Sequence, residues 1–147
     1  MLTKHSKQVL LVEDNDNDAE LTLAMLKKCV PGIGVDLVRD GEEALDYLNR
    51  RGDYATRPAE DPVVVLLDLK MPRVTGVEVL SEVKSNERLK SIPVVMLTSS
   101  REAQDLHECY RLGANGYVVK PVDAKDFIQA ITNIGAFWAA TNEPPPI

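Results

Sequence analysis

The chain has 147 residues and a formal net charge of −6, with 44% hydrophobic and 27% charged residues. That length and balance suit one folded globular domain with a real core, and exclude a disordered chain. The acidic charge, with no Lys/Arg-rich run, excludes a nucleic-acid-binding surface, and no stretch approaches the roughly 18 apolar residues of a membrane span.

Taken in chain order, short apolar runs alternate with helical patterns. Lys4 and Lys7 precede Val9-Leu10-Leu11-Val12, a predicted strand that Glu13 ends. The run is too short for a signal-peptide core, so a cytoplasmic location is expected. Residues 16–29 place Leu21, Ala24, Met25 and Lys28 at helical spacing. Val35-Asp36-Leu37-Val38 alternates in polarity and reads as an edge strand. Residues 41–51 carry Ala44, Leu45 and Leu48 on one helical face, and 52–62 form a polar loop. Val63 to Leu67 is a second continuous apolar strand. A helix follows at 75–86 with Val79, Leu80 and Val83. Val94-Val95-Met96-Leu97 is a third apolar strand, and residues 101–112 hold Leu106, Cys109, Tyr110 and Leu112 at helical spacing. Tyr117-Val118-Val119 is the last strand. The last helix, 124–140, carries Phe127, Ile131, Ile134 and Trp138 as one stripe, with Asp123 as its N-cap. Pro144-Pro145-Pro146 cannot continue a helix.

Strands apolar at every position belong in a parallel sheet covered on both faces. Five strands alternating with five helices give an α/β fold, a (βα)5 doubly wound parallel sheet. One domain over 1–147 is expected, with a core at about 7–140 and a tail at 141–147. Cys29 and Cys109 are read as reduced thiols. His5 and His107 lack partners at metal-ligand spacing, so no zinc site is expected.

The polar residues that end these strands carry the chemistry. Glu13 and Asp14 follow the first strand, Asp68 the third, Thr98 the fourth and Lys120 the fifth. In an open α/β sheet, ligands bind at the carboxyl ends of strands, at the switch in strand order. The flavodoxin-like order 2-1-3-4-5 would bring Glu13, Asp14 and Asp68 together. Three carboxylates in one crevice call for a cation, and hard oxygen ligands suit Mg²⁺. An Asp carboxylate can serve as a nucleophile toward phosphorus, while a lysine and a hydroxyl stabilise the phosphoryl oxygens. Each residue alone has an ordinary reading: Asp14-Asn15-Asp16 and Thr98-Ser99-Ser100 as helix caps, Asp68 before Met71-Pro72 as a turn residue, Lys120 as a surface lysine. Their joint placement at successive strand ends is the specific signal.

Val12-Glu13-Asp14-Asn15, Leu66-Leu67-Asp68-Leu69-Lys70-Met71-Pro72 with Gly76, Val95-Met96-Leu97-Thr98-Ser99 and Gly113-Ala114-Asn115-Gly116-Tyr117-Val118-Val119-Lys120-Pro121 together resemble the response-regulator receiver domains of two-component signalling. The resemblance covers residues 7–135. It implies that Asp68 is the phosphoacceptor. Asp14, Asp68 and the main-chain carbonyl of Lys70 would ligate Mg²⁺, with Glu13 acting through a metal-bound water. Thr98 and Lys120 would contact the phosphoryl group, Tyr117 would be the switch aromatic, and Lys120–Pro121 would be a cis bond. The first acid is Glu rather than Asp, a common variant.

The loop at 52–62, the segment 109–115 and the ending Ile134-Gly135-Ala136-Phe137-Trp138 further resemble stand-alone regulators paired with bacterial phytochrome histidine kinases. The function implied is acceptance of a phosphoryl group from such a kinase, switching a face that binds a downstream protein. Such a chain is not an enzyme on other substrates; it catalyses only its own phosphorylation and dephosphorylation. A haloacid-dehalogenase-type phosphatase would want a second Asp where Lys70 stands, and a phosphorylation-independent binding module would not need the intact acidic and basic set. Tyr117, Phe137 and Trp138 mark an expected homodimer contact through the face of the fourth helix, fifth strand and fifth helix.

Overall fold

The computed structural model describes residues 7–58 and 60–146. Lys4, His5 and Ile147 lie outside the described residues. Five strands, β1 (Gln8–Val12), β2 (Gly34–Val38), β3 (Val64–Leu67), β4 (Val94–Thr98) and β5 (Gly116–Val119), alternate with α1 (Asp16–Cys29), α2 (Gly41–Asn49), α3 (Gly76–Ser85), α4 (Ala103–Arg111) and α5 (Ala124–Ile134). All strand pairs are parallel, in the order β2-β1-β3-β4-β5. The alternating strand at 35–38 is an edge, as its polarity requires.

The apolar runs have a two-sided explanation. Leu10, Val12, Val65, Leu67, Val94 and Met96 pack on one face with Ala44, Leu48, Val79, Leu80, Val83 and Cys109 of α2, α3 and α4. Val9, Leu11, Val64, Leu66, Val95 and Leu97 pack on the other with Leu26, Phe127, Ile131 and Ile134 of α1 and α5. Burying each such side chain stabilises the fold by about 1.5–3 kcal/mol before the cost of ordering it, so none of these buried positions tolerates a charge cheaply.

Three helices depart from the expected faces; in α4 only Cys109 of the expected stripe is fully buried, and Tyr110 is exposed. In α1 the fully buried residues are Ala19, Thr22 and Leu26, with Leu21 and Met25 only partly covered and Ala24 exposed. The stripe is rotated because Thr22, a residue that spacing by polarity discounts, occupies its centre. At the other end, α5 ends at Ile134 and runs directly into a π-helical segment, Gly135–Thr141. Its wider turn moves the inward position from Trp138 to Ala139, which is buried, while Trp138 is half-buried against the α1–α5 layer. Gly135 sits where a Cβ would meet the Cys29 sulfur at 2.7 Å, so this close packing on α1 requires glycine. Phe137 is 49% exposed and meets Trp138 edge-on.

The loop at 52–62 is less open than its polarity suggests. It contains a short 3₁₀ turn, Gly52–Tyr54. Arg57 donates to the carbonyls of Tyr47, Pro58 and Glu60 and lies 4.3 Å from the centre of the Tyr47 ring.

Candidate functional site

The sheet register sets the site. Val12 pairs with Leu67, so Glu13 and Asp68 emerge side by side from neighbouring strands. The Asp68 amide donates to the Val12 carbonyl (3.2 Å) and the Lys120 amide to the Thr98 carbonyl (2.7 Å), which carries the pairing past the strand ends. Gly76 lies against the same loop, where a Cβ would stand 2.0 Å from the Asp68 carbonyl oxygen. Only glycine lets α3 start this close to the loop that carries Asp68.

Glu13, Asp68, Thr98 and Lys120 are all buried, at 1%, 9%, 1% and 8% exposure, at the ends of strands that are otherwise apolar. Such groups persist only if they are paired. The Lys120 ammonium donates to Glu13 Oε1 (2.5 Å), Asp68 Oδ2 (3.0 Å) and Asp18 Oδ2 (3.0 Å). Asp68 Oδ1 accepts the Leu69 amide (2.7 Å), and Glu13 Oε2 accepts the Asn15 amide (3.2 Å). Burial pushes the Glu13 carboxyl up to about 7, against the pull of Lys120. Burial works against the Lys120 ammonium too, yet its hydrogen bonds and the charges of Glu13 and Asp68 win and hold it above the ordinary lysine value.

Glu13, Asp14 and Asp68 each offer a carboxylate oxygen, and these atoms lie within 4.8 Å of one another. Asp14 is exposed, so an ion could be reached from solvent. An all-oxygen set of this charge and spacing fits a hard divalent cation with retained waters. It does not fit a soft metal, which prefers thiolate or imidazole.

Thr98 links the site to the edge of the sheet. Its hydroxyl oxygen accepts the Ser100 amide (3.3 Å). The Ser100 carbonyl accepts the Tyr117 hydroxyl (3.0 Å), and the Ser100 hydroxyl donates to Asp105 on α4 (2.5 Å). Burial raises the Tyr117 phenol above its ordinary value despite that hydrogen bond. Lys70 is exposed two residues beyond Asp68.

The structure thus brings together Glu13, Asp14, Asp68 and Lys120, joins Thr98 to them through the Lys120 amide, and reaches Tyr117 from Thr98 through Ser100. Phe137 and Trp138 lie elsewhere, in the π-helical segment; Tyr117 packs with the α2–α4 layer and Trp138 with the α1–α5 layer. One expectation is corrected. No cis peptide bond occurs among the described residues, so Lys120–Pro121 is trans. Trans is the lower-energy isomer by about 0.5–1 kcal/mol, and Lys120 reaches its three carboxylates with the bond in that form. Sequence reasoning missed Asp18. Its place in the first turn of α1 reads as an ordinary helix-start acid, so the sequence carried no signal for it. A cavity of about 610 Å³ lies away from this chemistry, lined by Pro62, Ile92, Pro93 and the tail at 143–146.

Residues 9–132 match the family model of the response regulator receiver domain. The chain belongs to this family. It is similar to response regulator Rcp1 of Synechocystis sp., 38% identical over 92% of this chain and 90% of Rcp1. The Mn²⁺-bound structure of Rcp1 superposes with a TM-score of 0.90 over 95% of this chain and 99% of that one. The phosphorylated cyanobacterial phytochrome response regulator RcpA is 39% identical, with a TM-score of 0.90 over 97% of this chain and 100% of RcpA. The bacteriophytochrome response regulator AtBRR is 56% identical, with a TM-score of 0.76 over 95% of this chain and 100% of AtBRR. The chain is therefore a receiver-domain response regulator homologous to phytochrome-linked regulators. Among the described residues, no helix is long and apolar enough to cross a membrane.

Proposed function

We propose that this chain takes a phosphoryl group onto Asp68 from a phytochrome-type sensor histidine kinase in the cytoplasm, with Mg²⁺ held by Asp14, Asp68, the Lys70 carbonyl and, through water, Glu13. The observation that carries the reading is the Lys120 ammonium fixed between Glu13 and Asp68 beside a three-carboxylate cluster. A bound Mg²⁺ would neutralise that cluster and draw charge from the phosphoryl oxygens. An Asp68 oxygen attacks phosphorus; the new P–O bond forms as the P–N bond to the donor histidine breaks, and the imidazole leaves as the neutral base after taking up a proton. Lys120 exchanges its bond to Asp68 for one to a phosphoryl oxygen, and Thr98 turns its hydroxyl toward another. Ser100 is then pulled with Thr98, which releases or tightens the Tyr117 hydroxyl. The same chain hydrolyses its own acyl phosphate and acts on no other substrate.

The phytochrome partner is supported by the likeness to RcpA and AtBRR. The receiver unit is taken as residues 7–140, with 141–147 as a tail. The α4-β5-α5 face carrying Tyr117 would bind a downstream protein or a second copy; the exposed Phe137 and half-buried Trp138, in the π-helical segment that continues α5, would extend that contact. Sedimentation of wild type and Trp138→Ala, with and without Mg²⁺–beryllofluoride, tests the self-association: a shift toward dimer with the mimic is expected, and a monomer throughout would remove it. For the main reading, a phosphohistidine donor and Mg²⁺ should label wild type and leave Asp68→Asn unlabelled. Undiminished labelling of that variant would end the assignment.

A further inference from the structure

We propose that Asp18 is a positioning residue for phosphoryl transfer: its carboxylate is a second anchor, with Glu13, that aims the Lys120 ammonium at Asp68. The inference rests on the reading of Asp68 as the acceptor. A lysine ammonium has three N–H donors on a flexible stem, so its direction must come from its partners. Here the three are taken up by Glu13 (2.5 Å), Asp18 (3.0 Å) and Asp68 (3.0 Å). With Glu13 alone as anchor, the head can still swing about that contact. Two anchors leave one N–H with one direction to point, and that direction is Asp68.

The surroundings assign different duties to the acids. The side chains of Lys120, Glu13 and Asp68 are 7%, 2% and 11% exposed, whereas Asp18 is 32% exposed and so forms the rim. Asp18 is not among the carboxylates that converge as a cation group, which are Glu13, Asp14 and Asp68. It is the lysine's partner, not the ion's. Its place is fixed by the N-cap of α1: Asn15 Oδ1 accepts the Asp18 amide at 2.9 Å. When a phosphoryl oxygen takes the N–H that Asp68 held, Glu13 and Asp18 remain to hold the ammonium toward it. The rim charge also acts on the donor, since a carboxylate at the mouth repels an anion that approaches Asp68. The alternative is that Asp18 is only a first-turn acid, favoured by the helix N-terminus.

The two are separated by phosphorylation kinetics of the full chain with acetyl phosphate at saturating Mg²⁺, read by intact mass over a range of donor concentrations. Asp18→Ala should lower the saturating rate by on the order of tenfold, as expected for a misaligned group, without raising the half-saturating donor concentration. Asp18→Asn keeps an acceptor for Lys120 without the charge, and should recover most of that rate. In a Lys120→Ala background, Asp18→Ala should have no additional effect, because its route of action is gone. A saturating rate in Asp18→Ala within about twofold of wild type, or an equal loss with Lys120 absent, would overturn the proposal. So would loss of Mg²⁺ binding in Asp18→Ala, which would make Asp18 part of the cation site. Labelling that persists in Asp68→Asn would overturn the parent reading as well; wild-type kinetics in Asp18→Ala beside a silent Asp68→Asn would overturn this inference alone.

Discussion

Two lysines in this molecule tie their ammonium groups down with three hydrogen bonds each, and their pKa values move in opposite directions. Lys84, in the last turn of α3, donates to the carbonyls of Lys90 and Ile92 and to Asn115 Oδ1, at 3.1, 2.8 and 3.0 Å. All three partners are neutral, and burial lowers its pKa. Lys120, beyond β5, also makes three hydrogen bonds, but to three carboxylates, and its pKa is raised. Hydrogen-bond number is therefore not what separates them; the charge of the partners is. The first lysine is a clamp joining α3 to the amino-terminal ends of β4 and β5, where Asn115 also accepts the Val94 amide. The second lies at the carboxyl-terminal ends, where the protein keeps charge that it could have avoided.

Exchanging each lysine should break the molecule differently. Lys120→Ala should slow phosphorylation by about a hundredfold, as for loss of one donor to a developing anion. Without a divalent ion it should also destabilise the fold by about 3 kcal/mol, since Glu13 and Asp68 are left buried without a counter-charge. Added Mg²⁺ should restore much of that stability. Urea melts with and without the ion measure it. Lys84→Met should leave the phosphorylation rate within about twofold of wild type, because the clamp lies away from the carboxylates, while losing about 1–3 kcal/mol from its unpaired carbonyls.

The carboxylate end should also show itself in pH dependence. The Glu13 carboxyl is raised from 4.5 to about 7 by burial, so the native state holds its proton where the unfolded state has lost it. Stability tied to this group is greatest below about 4.5, falls as pH rises through that window and is fully lost above about 7. In metal-free buffer, Glu13→Gln should flatten that fall, which amounts to roughly 3 kcal/mol at most. An unchanged slope of the urea midpoint between pH 4.5 and 7 in Glu13→Gln would show that another group is responsible. A further effect concerns geometry. Gly76→Ala would place a methyl 2.0 Å from the Asp68 carbonyl oxygen, so the acceptor loop must shift. A loss of about 1–3 kcal/mol with a reduced phosphorylation rate is expected, and a thermal melt beside a labelling assay reads both.

What could be read from the amino acids follows the same division. Apolar runs at 9–12, 63–67 and 94–97 announce strands covered on both faces, and the charges that end them stand out because nothing else in the runs is polar. Asp14, Asp68, Thr98 and Lys120 were legible for that reason. Asp18 was not, because an acid in the first turn of a helix is unremarkable until the lysine that reaches it is known. The rotated face of α1 escaped because Thr22 is buried without announcing itself by hydrophobicity. The π-helical segment was illegible because it keeps the helical direction while changing which residue faces inward, from Trp138 to Ala139.

The central claim is that the charge kept at the carboxyl-terminal ends of the strands serves Asp68. The most direct test is to phosphorylate the wild-type chain with acetyl phosphate, trap the acyl phosphate by borohydride reduction and locate the reduced residue by peptide mass spectrometry. Reduction at position 68, dependent on a divalent cation and weakened in Lys120→Ala, is the expected result. A reduced residue elsewhere, or none at 68 when the chain carries a phosphoryl group, would contradict the account.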